Sequence, residues 1–151
     1  MDSMYPLYAA LTACVLAQAI KPLLQLLFFR EWDWKMAFST GGLPSSHSAL
    51  VSSLALATGI VEKFSSTLFA VTLVIAMIVC YDAANVRRYA GNNIAITQQL
   101  VDDLKELAMI HADNPVYQVK LKKVLGHTYF EVGAGIIFGL LVSCLMYLLV
   151  M

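Results

Sequence analysis

Four long apolar runs constrain the fold of this chain more than any other feature of its sequence. They occupy residues 5–29, 48–61, 66–80 and 132–150. Because a helix needs roughly 20 apolar residues to cross the hydrocarbon core of a bilayer, such runs are typical of membrane-spanning helices. We therefore predict an all-α fold, a polytopic membrane helix bundle with about four spans.

The composition agrees with this prediction. The 151 residues are 60% hydrophobic and only 13% charged, whereas soluble domains are about half apolar and roughly a quarter charged. These proportions exclude an intrinsically disordered chain, a basic nucleic-acid-binding module and an ordinary water-soluble enzyme. We expect one membrane-embedded domain over residues 1–151, with the bilayer and its lipids as partners and no nucleic acid.

The second apolar run is the shortest of the four. Counted from Pro44 to Glu62, it forms a helix about 28 Å long at about 1.5 Å per residue. Such a helix barely crosses the hydrocarbon core. We therefore expect residues 44–47 to lie at or just inside the membrane interface.

A polar stretch, residues 82–131, separates the third and fourth runs. Within it, residues 93–111 are predicted to form an amphipathic helix, which the Asp-Asn-Pro sequence at 113–115 ends. Its apolar face would lie on the membrane or on the protein itself, and a homodimer contact is the alternative. That face consists of Leu100, Leu104, Leu107 and His111.

The basic residues predict the orientation of the spans. With four spans, one side of the membrane carries Lys63 and both chain termini, and the other carries most of the remaining Lys and Arg. The positive-inside rule assigns the basic side to the cytoplasm. Its basic residues are Arg30, Lys35, Arg87, Arg88, Lys105, Lys120, Lys122 and Lys123.

The sequence Gly-Gly-Leu-Pro-Ser-Ser-His-Ser at 41–48 precedes the second span. Glycines allow a tight turn, and Pro and Ser mark a helix start, whose free N–H groups favour phosphate. Within that first turn, His47 could give or take a proton near neutral pH, with Ser45 and Ser46 beside it. The alternative is a capped membrane helix with an interfacial histidine.

The sequence Tyr-Asp-Ala-Ala-Asn-Val-Arg-Arg at 81–88 lies where the third span ends. Arg87 and Arg88 are suited to a bidentate grip on phosphate oxygens, or they anchor the span end at the interface. Asp82, five residues before Arg87, could steady an arginine through an ion pair, and we count it among the candidate substrate-binding residues. A magnesium site is the weaker interpretation, because no second carboxylate lies nearby in the sequence.

The sequence Gly-His-Thr-Tyr-Phe-Glu at 126–131 opens the last span. His127 and Glu131 are four residues apart and share one face of a helix, so the carboxylate could hold the imidazole tautomer and leave the other nitrogen free to attack. Thr128 and Glu131 also fit a capping box. The spacing supports both interpretations equally.

Lys21 lies inside the first apolar run. A lysine within the membrane is costly and indicates a functional partner, although its long side chain could instead extend to the interface. By the topology above, Lys21 and the three motifs lie at the same membrane face. Two histidines, several basic residues and a glycine-rich helix start at one face describe an anion pocket, and phosphate is the natural anion.

Together these residues resemble a known family. Gly-Gly-Leu-Pro-Ser-Ser-His-Ser at 41–48, Tyr-Asp-Ala-x-x-Val-Arg-Arg-x-Ala-Gly at 81–91 and Leu-Gly-His-Thr-x-x-Glu-Val at 125–132 are similar to the divergent bacterial and plastid branch of the type 2 phosphatidic acid phosphatase superfamily. That superfamily also includes vanadium-dependent haloperoxidases. The resemblance covers nearly the whole chain, from Gln18 and Lys21 to Val132.

The resemblance implies a role for each matching residue. His127 corresponds to the nucleophile that forms a phosphohistidine, and Glu131 stands where the family usually has an aspartate that orients this histidine. His47 corresponds to the acid that protonates the leaving alcohol. The phosphate oxygens would be held by Lys21, Ser45, Ser46, and one or both of Arg87 and Arg88. No metal or other cofactor is expected, because the basic residues would stabilise the transition-state charge.

The chain departs from the family pattern at three places. Phe28 stands seven residues after Lys21, where the family has an arginine followed by proline. In the motif at 41–48, Ser46 stands where the family has a glycine. Leu121, six residues before His127, stands where the family has an arginine. We therefore expect Arg87 or Arg88 to take over the arginine role from another part of the chain.

The resemblance implies a metal-independent enzyme, a lipid phosphatase in a bacterial cell membrane with its site facing the cytoplasm. Its substrate would be a lipid phosphomonoester such as phosphatidylglycerol phosphate, phosphatidic acid or a polyprenyl phosphate. The alternative is a non-catalytic protein that binds or transports a lipid phosphate. Nothing in the sequence points to the bound vanadate and oxidant access that a haloperoxidase needs.

Overall fold

The computed structural model describes residues 4–30, 32–38, 41–107 and 127–150. This part of the chain is all-α, as predicted, and contains six α-helices and one short 3-10 helix, Trp34–Phe38. The α-helices are α1 (Tyr5–Ala19), α2 (Lys21–Phe29), α3 (Ser46–Glu62), α4 (Thr67–Ala84), α5 (Val86–Glu106) and α6 (Tyr129–Val150).

Three helical segments are long and apolar enough to cross a membrane: Tyr5–Leu27, Thr67–Glu106 and Tyr129–Leu149. They correspond to the first, third and fourth predicted spans. The predicted second span is α3, which has 17 residues. At about 1.5 Å per residue it is about 26 Å long, shorter than the hydrocarbon core of roughly 30 Å. The structure therefore has three long candidate spans and one shorter central helix.

The first span consists of two helices joined at Ile20. Pro22 lies in the first turn of α2, where its missing N–H leaves no helical hydrogen bond unmade. The N–H of Ile20 still donates to the carbonyl of Leu16 (3.0 Å), and the N–H of Leu24 donates to the carbonyl of Ile20 (3.0 Å). The helix is thus interrupted at Ile20, directly before Lys21, and both helices belong to the same membrane span.

The amphipathic helix α5 begins at Val86, earlier than the predicted start at residue 93. The prediction was wrong here because helical hydrogen bonding continues through the join with α4: the N–H of Asn85 donates to the carbonyl of Tyr81 (3.0 Å). Leu100 and Leu107 are 56% and 65% exposed. A membrane-surface or dimer role for this face stays a prediction, and His111 and the predicted helix end at 113–115 lie outside the described residues.

The central helix α3 packs against α1, α4 and α6. Because lipid is as apolar as a helix surface, helices in a bilayer associate through close packing of small residues. Two hydrogen bonds add to this packing, from the Ser52 hydroxyl to the carbonyl of Ile136 (3.2 Å) and from the Tyr5 hydroxyl to the carbonyl of Ser143 (2.7 Å). The small buried residues include Ala9, Ala13, Ala17, Ser48, Ala49, Ser53, Ala57 and Ser143.

Two glycines of α6 make this packing testable. A Cβ at Gly139 would overlap the carbonyl oxygen of Ala49, whereas a Cβ at Gly133 would meet nothing within 4 Å. We expect Gly139→Ala to lower the free energy of unfolding by about 1–3 kcal/mol, since α3 and α6 must separate. Gly133→Ala should raise it by roughly 0.5–1 kcal/mol, because alanine favours the helix. Denaturant unfolding in detergent micelles measures both, and equal effects would contradict the proposed close contact.

Candidate functional site

The side chain of His127 is held at the start of α6. Its Nδ1 lies 3.1 Å from Oε2 of Glu131, and only 1% of the residue is exposed. Because a carboxylate can only accept, Nδ1–H donates to it, and in the neutral form of the ring this leaves the lone pair on Nε2. Nε2 is buried and has no hydrogen-bond partner among the residues that the structure describes. The ring therefore has the tautomer that a nucleophilic histidine needs.

The same carboxylate also caps α6. Oε2 of Glu131 accepts from the N–H of Thr128 (3.0 Å), and the N–H of Glu131 donates to the Thr128 hydroxyl (3.2 Å). These reciprocal bonds form a capping box. Both interpretations of the His-x-x-x-Glu spacing are present at once, because one oxygen of Glu131 serves the helix end and the histidine together.

Lys21 lies beside this pair. It is 1% exposed, and its Nζ donates to the carbonyl of Gly41 at 3.0 Å. The charges of Lys21 and Glu131 also attract each other. The glycine loop can come this close because Gly42 has a φ of 88°, which favours glycine. A buried ammonium next to the His127–Glu131 pair makes this end of the bundle attractive to an anion.

The start of α3 contacts the same group through its backbone. The N–H of Ser45 donates to the carbonyl of Glu131 (3.1 Å), and its hydroxyl caps α3 by accepting from the N–H of Ser48 (3.4 Å). Ser46 is buried in the first turn of α3, and His47 is half-buried beside it. The structure thus brings the motif at 41–48 and the motif at 126–131 together, as their joint assignment to one membrane face requires.

The remaining predicted residues lie close by in the chain. Asp82 is half-buried in the last turn of α4. Arg87 and Arg88 lie in the first turn of α5, and their side chains are outside the described part of the structure. Arg87 and Arg88 thus follow directly after the end of α4. That end of α4 contacts the backbone of His127.

That contact and a second one were not predicted from the sequence. The N–H of His127 donates to the carbonyl of Ala83 at 3.1 Å, and the Tyr129 hydroxyl donates to Oδ1 of Asn85. These bonds join the end of α4 to the start of α6. The backbone bond leaves no signal in the sequence, whereas Asn85 and Tyr129 are polar residues inside two motifs and could have been considered.

The described part of the chain contains no group of three or more His, Cys, Asp or Glu side chains placed to bind one metal ion. The polar atoms gathered at the site are instead an imidazole, a carboxylate, an ammonium and the backbone groups of two helix starts. This set suits the binding of an anion and proton transfer to and from it.

Comparisons with known proteins agree with the motifs. Residues 3–142 match the model of the Divergent PAP2 family. The chain is also 38% identical over 144 residues to the "Uncharacterized membrane protein YuiD" of Bacillus subtilis (strain 168), which covers 92% of this chain and 91% of that protein. No solved structure gives a significant match. The resemblance in the three motifs is thus confirmed over nearly the whole sequence, and this membrane protein belongs to the divergent PAP2 family.

Proposed function

We propose that this protein is an integral membrane lipid phosphatase that hydrolyses a lipid phosphomonoester through a phosphohistidine. The observation that carries the proposal is the buried ring of His127, with Nδ1 held by Glu131 and Nε2 without a hydrogen-bond partner in the described part of the chain. Phosphatidylglycerol phosphate is the favoured substrate, since the proposed cytoplasmic orientation of the site favours a biosynthetic intermediate, and phosphatidic acid and a polyprenyl phosphate are the alternatives.

The reaction has two in-line steps. In the first, Nε2 of His127 attacks phosphorus, the bond to the lipid oxygen breaks, and His47 gives its proton to the leaving alcohol. In the second, His47 takes a proton from water, which attacks the phosphohistidine and releases phosphate and His127. Lys21, with Arg87 or Arg88, stabilises the charge on the phosphate oxygens in both steps.

The proposal includes a topology. With α3 crossing the membrane as a short fourth span, the first span (α1 and α2) and α4 end, and α3 and α6 begin, on one side of the membrane. Ser45, His127 and Asp82 lie at these ends, and Lys21 lies at the start of α2 within the first span, so the substrate headgroup binds at one interface. The excess of basic residues assigns that interface to the cytoplasm. A short α3 is compatible with this topology, because the start of α3 forms part of the site and can lie just inside the membrane interface.

The test is phosphate release by the purified full-length protein from a panel of lipid phosphates in detergent micelles. We expect turnover of at least one lipid phosphomonoester, inhibition by vanadate and no loss in EDTA. Loss of activity in EDTA would contradict the metal-independent mechanism. Binding of a lipid phosphate without turnover, unchanged in His127→Ala, would identify a non-catalytic binding or transport protein instead.

The two roles of Glu131 can be separated by one substitution. Glutamine also fits a capping box, so Glu131→Gln should leave the thermal unfolding midpoint nearly unchanged. It cannot stabilise the positive charge on the His127 ring, so we expect kcat to fall about 10- to 100-fold, as for partners that orient metal-bound histidines. Thr128→Ala is the matched control, because it weakens the cap and leaves the histidine pair intact. Equal kcat values in Glu131→Gln and wild type would limit Glu131 to capping.

A further inference from the structure

An apolar groove lies between α3, α4 and α6, below the candidate site. Its volume is about 370 Å³, within the range of about 300–1,000 Å³ for ligand pockets. Leu56, Leu73, Met77 and Leu140 are among its lining residues. The groove also contacts Ser52, whose hydroxyl already donates to backbone carbonyls. No polar ligand group is therefore expected inside it.

The groove runs from the site toward the opposite membrane face. At the site end it is lined by Cys80 and Ile136, which pack against the buried cluster of Ala83, Ala84 and Val132. The carbonyl of Ala83 accepts from the N–H of His127 (3.1 Å). At the far end, Phe64 and Phe69 pack edge to face with ring centroids 5.1 Å apart. One end of the groove thus lies beside the residues that contact His127, and an aromatic pair lines the other end.

The aromatic pair lies beyond the bilayer midplane as seen from the site. From Phe69 to Ala83, whose carbonyl accepts from the N–H of His127, α4 rises about 21 Å at about 1.5 Å per residue. Half of a hydrocarbon core of roughly 30 Å is about 15 Å. Only a long, extended chain attached to a headgroup at the site would therefore reach the aromatic pair.

The groove is also open on its side. Met77, which lines it, is 65% exposed. Because α4 and α6 carry candidate membrane spans, this opening faces the lipid rather than water. A lipid tail can enter sideways from the bilayer while its phosphate stays at the interface.

We propose that this groove binds one acyl chain of the lipid phosphate whose headgroup lies at His127, and that the Phe64–Phe69 pair limits the length of the bound chain. This inference rests on the proposed function. A second copy of this chain would fill the groove as well, but the position of the groove beside the site favours the substrate tail. The expected ligand is thus a single flexible hydrocarbon chain that is linked to a phosphomonoester.

The test uses two substitutions in the groove and two matched controls. Leu73→Trp and Leu140→Trp fill the groove from α4 and α6, whereas Val74→Trp and Leu141→Trp place the same side chain one residue further along each helix, outside the lining. The first readout is labelling of the full-length protein in micelles by phosphatidic acid with a photoreactive acyl chain, mapped by mass spectrometry. The second is kcat/KM for long-chain and short-chain lipid phosphates.

We expect labels on α4 and α6 groove residues in wild type and in both controls, and their loss in both groove variants. Excess unlabelled phosphatidic acid should prevent labelling, and phosphatidylcholine should not. For long-chain substrates, the groove variants should lower kcat/KM at least about tenfold, the cost of excluding even one methylene from a hydrophobic pocket. Hydrolysis of short-chain substrates should stay the same.

The labelling experiment does not depend on turnover, so the two proposals fail separately. Specific labelling without any phosphatase activity would contradict the proposed function and leave the groove assignment standing. Labelling that is unchanged in Leu73→Trp and Leu140→Trp would overturn the groove assignment. Equal competition by phosphatidylcholine, or dimer formation that the groove variants abolish, would overturn it too, because the occupant would then be bulk lipid or a second copy.

Discussion

We expect replacement of His127 by alanine to abolish phosphate release, with kcat lowered at least about a thousandfold. In the proposed mechanism the ring supplies the attacking Nε2, while its Nδ1 is held by Glu131. Without the ring, water would have to attack the lipid phosphate directly. Rates of phosphate release by equal amounts of purified wild type and variant measure the effect.

The control for this variant is its neighbour in the same helix start. Because His127 is buried, its removal leaves a cavity, so the folded fraction of each sample must be compared. Thr128→Ala removes the capping hydroxyl at a cost of about 1 kcal/mol and leaves the ring in place. We expect Thr128→Ala to keep most of the activity. A folded His127→Ala protein with full activity would rule out the phosphohistidine mechanism.

Lys21→Met has the second largest expected effect, a fall in kcat/KM of about 10²–10³, as for loss of one donor to a transition-state oxyanion. The buried ammonium lies near Glu131 and contacts the glycine loop through Gly41. Methionine fills similar space without the charge, so the phosphate loses a partner in a low-dielectric site. Steady-state kinetics with the best substrate of the panel measures the change.

Lys63→Met is the matched control for this prediction. Lys63 is exposed at the end of α3, opposite the candidate site, so its loss removes the same charge without touching the pocket. We expect wild-type kinetics for Lys63→Met. If Lys21→Met lowered only the unfolding midpoint and left kcat/KM unchanged, Lys21 would not be a phosphate ligand. Its role would then be to stabilise the fold through its hydrogen bond to the carbonyl of Gly41.

The sequence predicted the parts of the site that depend on local spacing. The spacing of His127 and Glu131 predicted that they share a helix face. The two side chains do meet, but His127 lies just before α6, which begins at Tyr129, so the pair forms through the turn of the capping box. The helix start at Ser45 followed from capping preferences. The cost of a charge in an apolar run singled out Lys21. In each case one local rule decides the outcome.

The sequence could not predict features that depend on tertiary contacts. The Ala83 carbonyl that accepts from His127 is a backbone group, and any residue could supply it. The early start of α5 depends on helical bonding that continues through Asn85, which propensity alone does not show. The apolar groove depends on how α3, α4 and α6 diverge, since its lining is indistinguishable in composition from an ordinary lipid-facing surface.

Trapping of the covalent intermediate tests the central claim most directly. The purified protein is mixed with a lipid phosphate carrying a radioactive phosphoryl group and is quenched rapidly with base. We expect label that is stable to base, is released by acid and maps to a peptide containing His127, with no such label in His127→Ala. Turnover of the same lipid without any labelled His127, or with label on another residue, would contradict it.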